Sequence, residues 1–142
     1  MALPKDIEKI KKQATVFVIF GATGDLAQKK LFPALFALYK SGLLPEKLEI
    51  IATARTKHSS LQFQSTIKEY VKPQDSKKWQ DFSQKIEFIP SDVAENKNLD
   101  KIARRLTEIE KDEKSCIKAI IYLAVAPTIY EDAFENIGKN KL

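Results

Sequence analysis

The chain has 142 residues, 44% of them hydrophobic, with a net charge of +5 from 24 Lys and Arg against 19 Asp and Glu. That length suits one domain able to bury a core without covalent staples. A single cysteine, Cys116, and a single histidine, His58, exclude an internal disulfide, a CxxC redox pair, a zinc finger and a histidine-rich metal site.

No apolar run approaches the roughly 20 residues of a membrane span. Met1 to Lys12 alternates charge with apolar residues and lacks the apolar core of a signal peptide, so the expectation is a reduced, soluble, cytoplasmic protein with no membrane partner. The basic balance permits a polyanion as partner, but the charges are interleaved. Between Asp100 and Lys114 five basic residues alternate with five acidic ones, among them Glu108, Glu110, Asp112 and Glu113. That pattern reads as a solvated helix face and not as a metal or nucleic-acid site.

In chain order, Met1–Gln13 reads as a polar lead-in helix. Thr15–Phe20 is an unbroken β-branched and aromatic run, the pattern of a strand buried on both faces of a parallel sheet. Leu31, Leu35 and Leu38 then recur at helical spacing, with Phe32, Phe36 and Tyr39 beside them, so the helix should pack on two sides. Pro33 predicts a break near Leu31–Phe32, and Gly42 the stop. A second strand is expected over Leu48–Ala54. A helix through Phe63, Ile67, Tyr70 and Val71 follows, capped by Ser59 or Ser60, and then a short strand at Ile86–Ile89. Trp79 and Phe82 read as a satellite of the core, and His58 as an exposed loop residue. Leu99, Ile102, Ala103, Leu106 and Ile109 mark an amphipathic helix. Lys118–Val125 is a fourth strand, preceded by an incidental thiol at Cys116. Ile129, Ala133 and Ile137 mark a last helix ending at Gly138.

Strands alternating with helices predict parallel pairing through right-handed crossovers. The fold class is therefore α/β, a Rossmann-like doubly wound parallel sheet with helices on both faces, cut off after about four strands. Residues 1–142 form one dinucleotide-binding domain in this reading, and Ile120–Val125 lies at an uncovered sheet edge.

The sharpest motif follows the first strand: Gly21-Ala22-Thr23-Gly24-Asp25-Leu26-Ala27. Gly21 lets the chain reverse, Gly24 lets backbone amides approach a pyrophosphate, and Ala27 lets the helix pack close on the strand. The helix start favours phosphate oxygens, and Thr23 adds a hydroxyl. Asp25 reads as an acid stabilised by the helix dipole. The second strand ends in Ala54-Arg55-Thr56-Lys57, with no acid to accept a ribose 2′-hydroxyl. Arg55 and Lys57 suit a 2′-phosphate and Thr56 a hydrogen bond to it, which favours NADP, with NAD as the alternative.

Residues 21–33, GATGDLAQKKLFP, resemble the signature of glucose-6-phosphate dehydrogenases. Ser41-Gly42-Leu43-Leu44-Pro45, the Ala54-Arg55 pair and Tyr122-Leu123-Ala124-Val125-Ala126-Pro127 match in the same order. The resemblance implies NADP-linked oxidation of glucose 6-phosphate to 6-phosphogluconolactone. It implies that Gly21, Ala22, Thr23, Gly24, Asp25 and Leu26 line the cofactor turn, that Arg55 holds the 2′-phosphate, and that Lys30 lies near the substrate. Ala126, Pro127 and Tyr130 would flank the nicotinamide. Gln28 and Ala126 depart from commoner Lys and Pro. The resemblance also implies a further domain, absent here, that carries the histidine base, most sugar contacts and the homo-oligomer interface. This chain alone is then expected to bind cofactor without turnover. A free-standing NADP sensor is the alternative. A short-chain dehydrogenase is disfavoured, since no Tyr-x-x-x-Lys pair occurs.

Overall fold

β1, Thr15–Phe20, is buried at five of its six positions and lies inside the sheet. It pairs in parallel on one side with β2, Leu48–Thr53, and on the other with β4, Lys118–Leu123. β3, Ile86–Phe88, pairs with β2, giving the order β3-β2-β1-β4. A strand with neighbours on both edges and helices on both faces meets little water, and TVFVIF contains no charge. The computed structural model describes residues 5–142. Within them α1 spans Lys5–Lys12, so the first residues of the expected lead-in helix lie outside the described part.

The crossovers divide the helices between the two faces. α2 (Phe32–Lys40), α3 (Ser60–Val71) and α4 (Ser76–Ser83) lie on one face, where Phe32, Phe36, Phe63, Trp79 and Phe82 meet Ile19, Ile50 and Ala52. α5 (Leu99–Glu113) and α6 (Tyr130–Lys139) lie on the other, where Leu99, Ile102 and Ala133 meet Val16, Val18 and Ile51. The path first winds from β1 out to β3, then α5 carries it back across the sheet to β4. The winding therefore reverses between β1 and β4, and the C-terminal ends of those strands diverge into a crevice.

Local signals fix some of the helix ends. Ser59 accepts from Gln62 N at 3.1 Å while Gln62 Oε1 accepts from Ser59 N at 2.9 Å, a reciprocal cap for α3. Gly42, at φ +69°, ends α2, and Leu43 N donates to Leu38 O across the turn.

Several expectations need correction. The strands end one or two residues early, at Thr53, Phe88 and Leu123; past those ends Ala54, Ala124 and Val125 line the crevice, while Ile89 packs into the core. No break separates residues 25 to 40. Instead Ala27–Leu31 form a π turn in which Phe32 N donates to Ala27 O. Pro33 has no N–H, and its ring would press on the carbonyl four residues back in a regular turn. The wider turn relieves this. Leu38 faces solvent at 41% exposure, while Leu31 and Leu35 join Phe32, Phe36 and Tyr39 at the core, so the buried face is narrower than expected. Trp79 and Phe82 belong to the main core: they sit on α4, a helix that the periodicity did not reveal, against Phe36 at 5.4 Å ring separations. His58 is half-buried and stands edge-on to Phe88 at 5.4 Å.

On the α5 face the lower sheet carries Glu49 and Glu87 in place of apolar residues. Arg105 of α5 covers them, with Nε 2.6 Å from Glu87 Oε2. Burial, reinforced by Glu87 and Glu113 and opposed by Arg105 and Lys85, holds the Glu49 carboxyl above its ordinary range.

Candidate functional site

The crevice at the C-terminal ends of the strands has a volume of about 510 Å³. Four segments wall it: Phe20, Gly21, Thr23 and Gly24 at the end of β1, residues 53–56 at the end of β2, residues 91–95 after β3, and residues 124–126 with Ile129 after β4.

The β1 turn is fixed from below. Gly21 N and Ala22 N both donate to Thr53 O, at 3.0 and 3.1 Å, and Gly24 N donates to Gly21 O at 3.0 Å. Gly21 has φ +78°, and a Cβ there would lie 2.2 Å from Ala124 O, so β1 and β4 leave the sheet in backbone contact. At Gly24 a Cβ would meet only Gly21 O, at 3.3 Å, so that position is open toward the crevice. The helix begins at Asp25 and runs through the π turn to Lys40. Its first N–H groups, at Asp25 and Leu26, have no intrahelical acceptor and carry the positive end of the dipole.

Thr53 and Ser91 share a buried hydroxyl–hydroxyl hydrogen bond that ties the exits of β2 and β3. Beyond Ser91, Asp92 and Lys97 exchange backbone hydrogen bonds at 2.9 and 3.0 Å, closing the loop. Asp92 Oδ1 accepts from Ala94 N at 3.0 Å and Glu95 N at 3.1 Å, which leaves Oδ2 outside these contacts. From α6, Asn136 Nδ2 donates to Val93 O at 2.8 Å and Ala94 O at 3.0 Å.

Of the residues singled out from sequence, Gly21, Thr23, Gly24, Arg55, Thr56 and Ala126 line the crevice. Arg55 makes no ion pair among the described residues. Ala22 sits beneath the turn, fully buried and with its N–H taken by Thr53 O, so it shapes the turn without presenting a donor. Asp25 and Leu26 point outward at the helix start, and Asp25 lies 3.5 Å from Lys29. Lys57 is exposed one residue past the wall. Lys30 is exposed on the π turn, outside the crevice lining. Pro127 opens a 3-10 turn ahead of α6, and the half-buried Tyr130 ring rests 6.2 Å from that of Phe134.

Sequence reading missed the β3 wall. Asp92, Val93 and Glu95 carry no motif, and the Asp two residues past Pro90 was the sole hint of a turn. It also missed Asn136, which looks like any polar helix position until its carbonyl partners are seen. No group of three or more metal-ligating side chains occurs among the described residues.

A phosphate-favouring helix start between a guanidinium-bearing wall and an apolar one suits an elongated anionic ligand. The family model described as glucose-6-phosphate dehydrogenase, NAD binding domain, matches residues 18–142. The chain belongs to this family. Among glucose-6-phosphate 1-dehydrogenases, that of Emericella nidulans is 30% identical over 132 residues, 91% of this chain and 26% of its own length. That of Cyberlindnera jadinii is 34% identical over 124 residues, 87% of this chain and 25% of its own. A solved structure of a glucose-6-phosphate dehydrogenase in complex with its substrate glucose-6-phosphate superposes with a TM-score of 0.86 at 30% identity. It covers 92% of this chain and 28% of that one. The chain thus spans about a quarter of the length of these glucose-6-phosphate dehydrogenases. Family membership implies a nucleotide cofactor for this chain. No helix among the described residues is long and apolar enough to cross a membrane.

Proposed function

We propose that this chain is the NADP-binding part of a glucose-6-phosphate 1-dehydrogenase that oxidises glucose 6-phosphate to 6-phosphogluconolactone in the cytoplasm. One observation carries the cofactor choice: Arg55 and Thr56 stand on the β2 wall, with no acid at the end of that strand. Arg55, supported by Lys57, pairs with the phosphate on the adenosine ribose, and Thr56 donates a hydroxyl to it. Thr23, Gly24 and the Asp25 and Leu26 amides hold the bridging phosphates. Asp92 and Val93 face the base. Ala126, Pro127 and Tyr130 bound the nicotinamide side, and Lys30 lies toward the sugar. The dinucleotide supplies hydride acceptance when bound; the residues of this chain bind and orient it.

The proton leaving the sugar needs a base close to the reacting carbon. The sole histidine, His58, packs on Phe88 past the β2 exit, on the adenosine side in this reading. The base therefore belongs to the further domain, with most substrate contacts and the surfaces that make the whole enzyme a homo-oligomer. The isolated chain binds NADP+ and is inactive. Calorimetric titration with NADP+ and NAD+, followed by an NADPH absorbance assay with glucose 6-phosphate, tests both statements. Tighter binding of NAD+ overturns the cofactor assignment. Turnover that is lost in Lys30→Ala would show that the chain supplies its own base.

A further inference from the structure

Asn136 is the buried polar residue of α6, 8% exposed. Its amide is committed to two main-chain carbonyls, Val93 O at 2.8 Å and Ala94 O at 3.0 Å. An amide placed in a core without partners is costly, and this one reaches out of its own helix to find them. Both carbonyls belong to the crevice wall after β3. One turn later Asn140 Nδ2 donates to Asn96 Oδ1 at 2.7 Å and to Asn136 O at 2.8 Å. Among the described residues, these two asparagines make the only hydrogen bonds that reach residues 92–96 from outside the loop.

The loop's internal bonds, between Asp92 and Lys97 and from Ala94 and Glu95 to the Asp92 carboxylate, set its curvature. They do not set where it stands. Ser91, bonded to Thr53, and the buried Val93 anchor its start. α6 anchors the Val93 and Ala94 carbonyls and the Asn96 side chain, and α6 starts directly after Ala126–Ile129, whose Ala126 and Ile129 form the opposite wall. One helix thus holds both sides of the crevice.

We propose that Asn136 is a positioning residue for the cofactor crevice: it touches no ligand and fixes the Asp92–Glu95 wall relative to the Ala126–Ile129 wall by clamping the Val93 and Ala94 carbonyls to α6. The inference rests on the reading of the crevice as a dinucleotide site. Without the clamp the wall samples positions that do not close on the ligand, and apparent affinity falls by the fraction of time it is displaced.

The test uses Asn136→Leu, which keeps the volume and removes the donors. Wild type and variant are titrated with NADP+ and with 2′,5′-ADP, the half-ligand that meets the β3 wall. The folded variant, with unchanged far-UV circular dichroism, binds both about tenfold more weakly, the loss expected when the freed wall holds its binding position about a tenth of the time. Loss of stability alone would lower the denaturation midpoint and leave the affinity of the folded chain intact, which would overturn the inference. So would a loss confined to NADP+. Should the variant not fold, hydrogen exchange in the wild type decides. Saturating NADP+ slows exchange of the Asn136 side-chain amide together with the Ala94 and Glu95 amides, and an unaltered Asn136 amide beside a protected loop overturns the proposal. A wild type that binds neither ligand would refute the dinucleotide reading itself, and this inference with it.

Discussion

Thr53, the last residue of β2, and Ser91, just past β3, hydrogen-bond to each other through their hydroxyls in full burial. The Thr53 carbonyl simultaneously receives Gly21 N and Ala22 N. One residue thus joins three of the four crevice walls. Thr53→Val keeps the shape and backbone but leaves the Ser91 hydroxyl without its partner. It should cost about 1–3 kcal/mol in denaturant unfolding. Ser91→Ala should cost a similar amount, and the double variant clearly less than the sum, because neither hydroxyl is then stranded. Additive losses would show that the two hydroxyls act independently.

The two glycines of the turn should fail differently. Gly21→Ala places a methyl 2.2 Å from Ala124 O at φ +78° and should destabilise the chain by about 2–5 kcal/mol, through strain and overpacking. Gly24→Val meets no comparable obstacle, so the chain should fold while its side chain fills the space toward the crevice and abolishes cofactor binding. Circular dichroism with calorimetry separates the outcomes. A folded Gly24→Val chain with wild-type affinity would contradict the geometry.

Arg55→Ala should weaken NADP+ binding by about 1.5–3 kcal/mol, the value of one charge-assisted contact, and leave NAD+ binding nearly unchanged. Calorimetry with both cofactors measures the difference. Equal losses would mean that Arg55 does not read the 2′-phosphate.

Glu49 makes stability depend on pH. Burial is the main cause of its raised pKa, so the folded chain holds that proton more tightly than the unfolded chain. Its charged form therefore penalises folding increasingly as pH climbs from the ordinary value of 4.5 through the higher folded value. Glu49→Gln should stabilise the chain at neutral pH, by no more than about 1 kcal/mol because water still reaches the group, and should have little effect well below the ordinary value. Chemical denaturation across that range checks the sign. A benefit largest in acid would refute it.

The sheet was legible in sequence because TVFVIF and LEIIAT are short, largely apolar β-branched runs, and α5 because its apolar residues keep helical phase over Leu99–Glu113. The β1 turn was legible because Gly21 answers a local demand, its positive φ, and Gly24 leaves the helix start without a side chain. α4 was not: its eight residues offer only Trp79 and Phe82 as apolar markers, too few to establish a period, and its cap at Asp75 resembles any loop acid. The β3 wall escaped for a different reason. Asp92 and Val93 gain meaning only when α6, more than thirty positions later, brings Asn136 against them. That is tertiary information, with no local pattern to announce it.

The π turn ahead of Pro33 loosens the link between chain length and packing. In a regular helix, residues five apart point about 140° away from each other. Ala27 and Phe32 are nevertheless both 0% exposed in the same core, because the wide turn takes up the surplus residue. Deleting one residue from the turn would return the pair to ordinary helical spacing and keep the buried stripe, against the cost of the proline ring in a regular turn. What would change is the outward side, where Lys29 and Lys30 would be dealt to new bearings around the axis. At this one place the backbone can shift its charges while leaving its core in register.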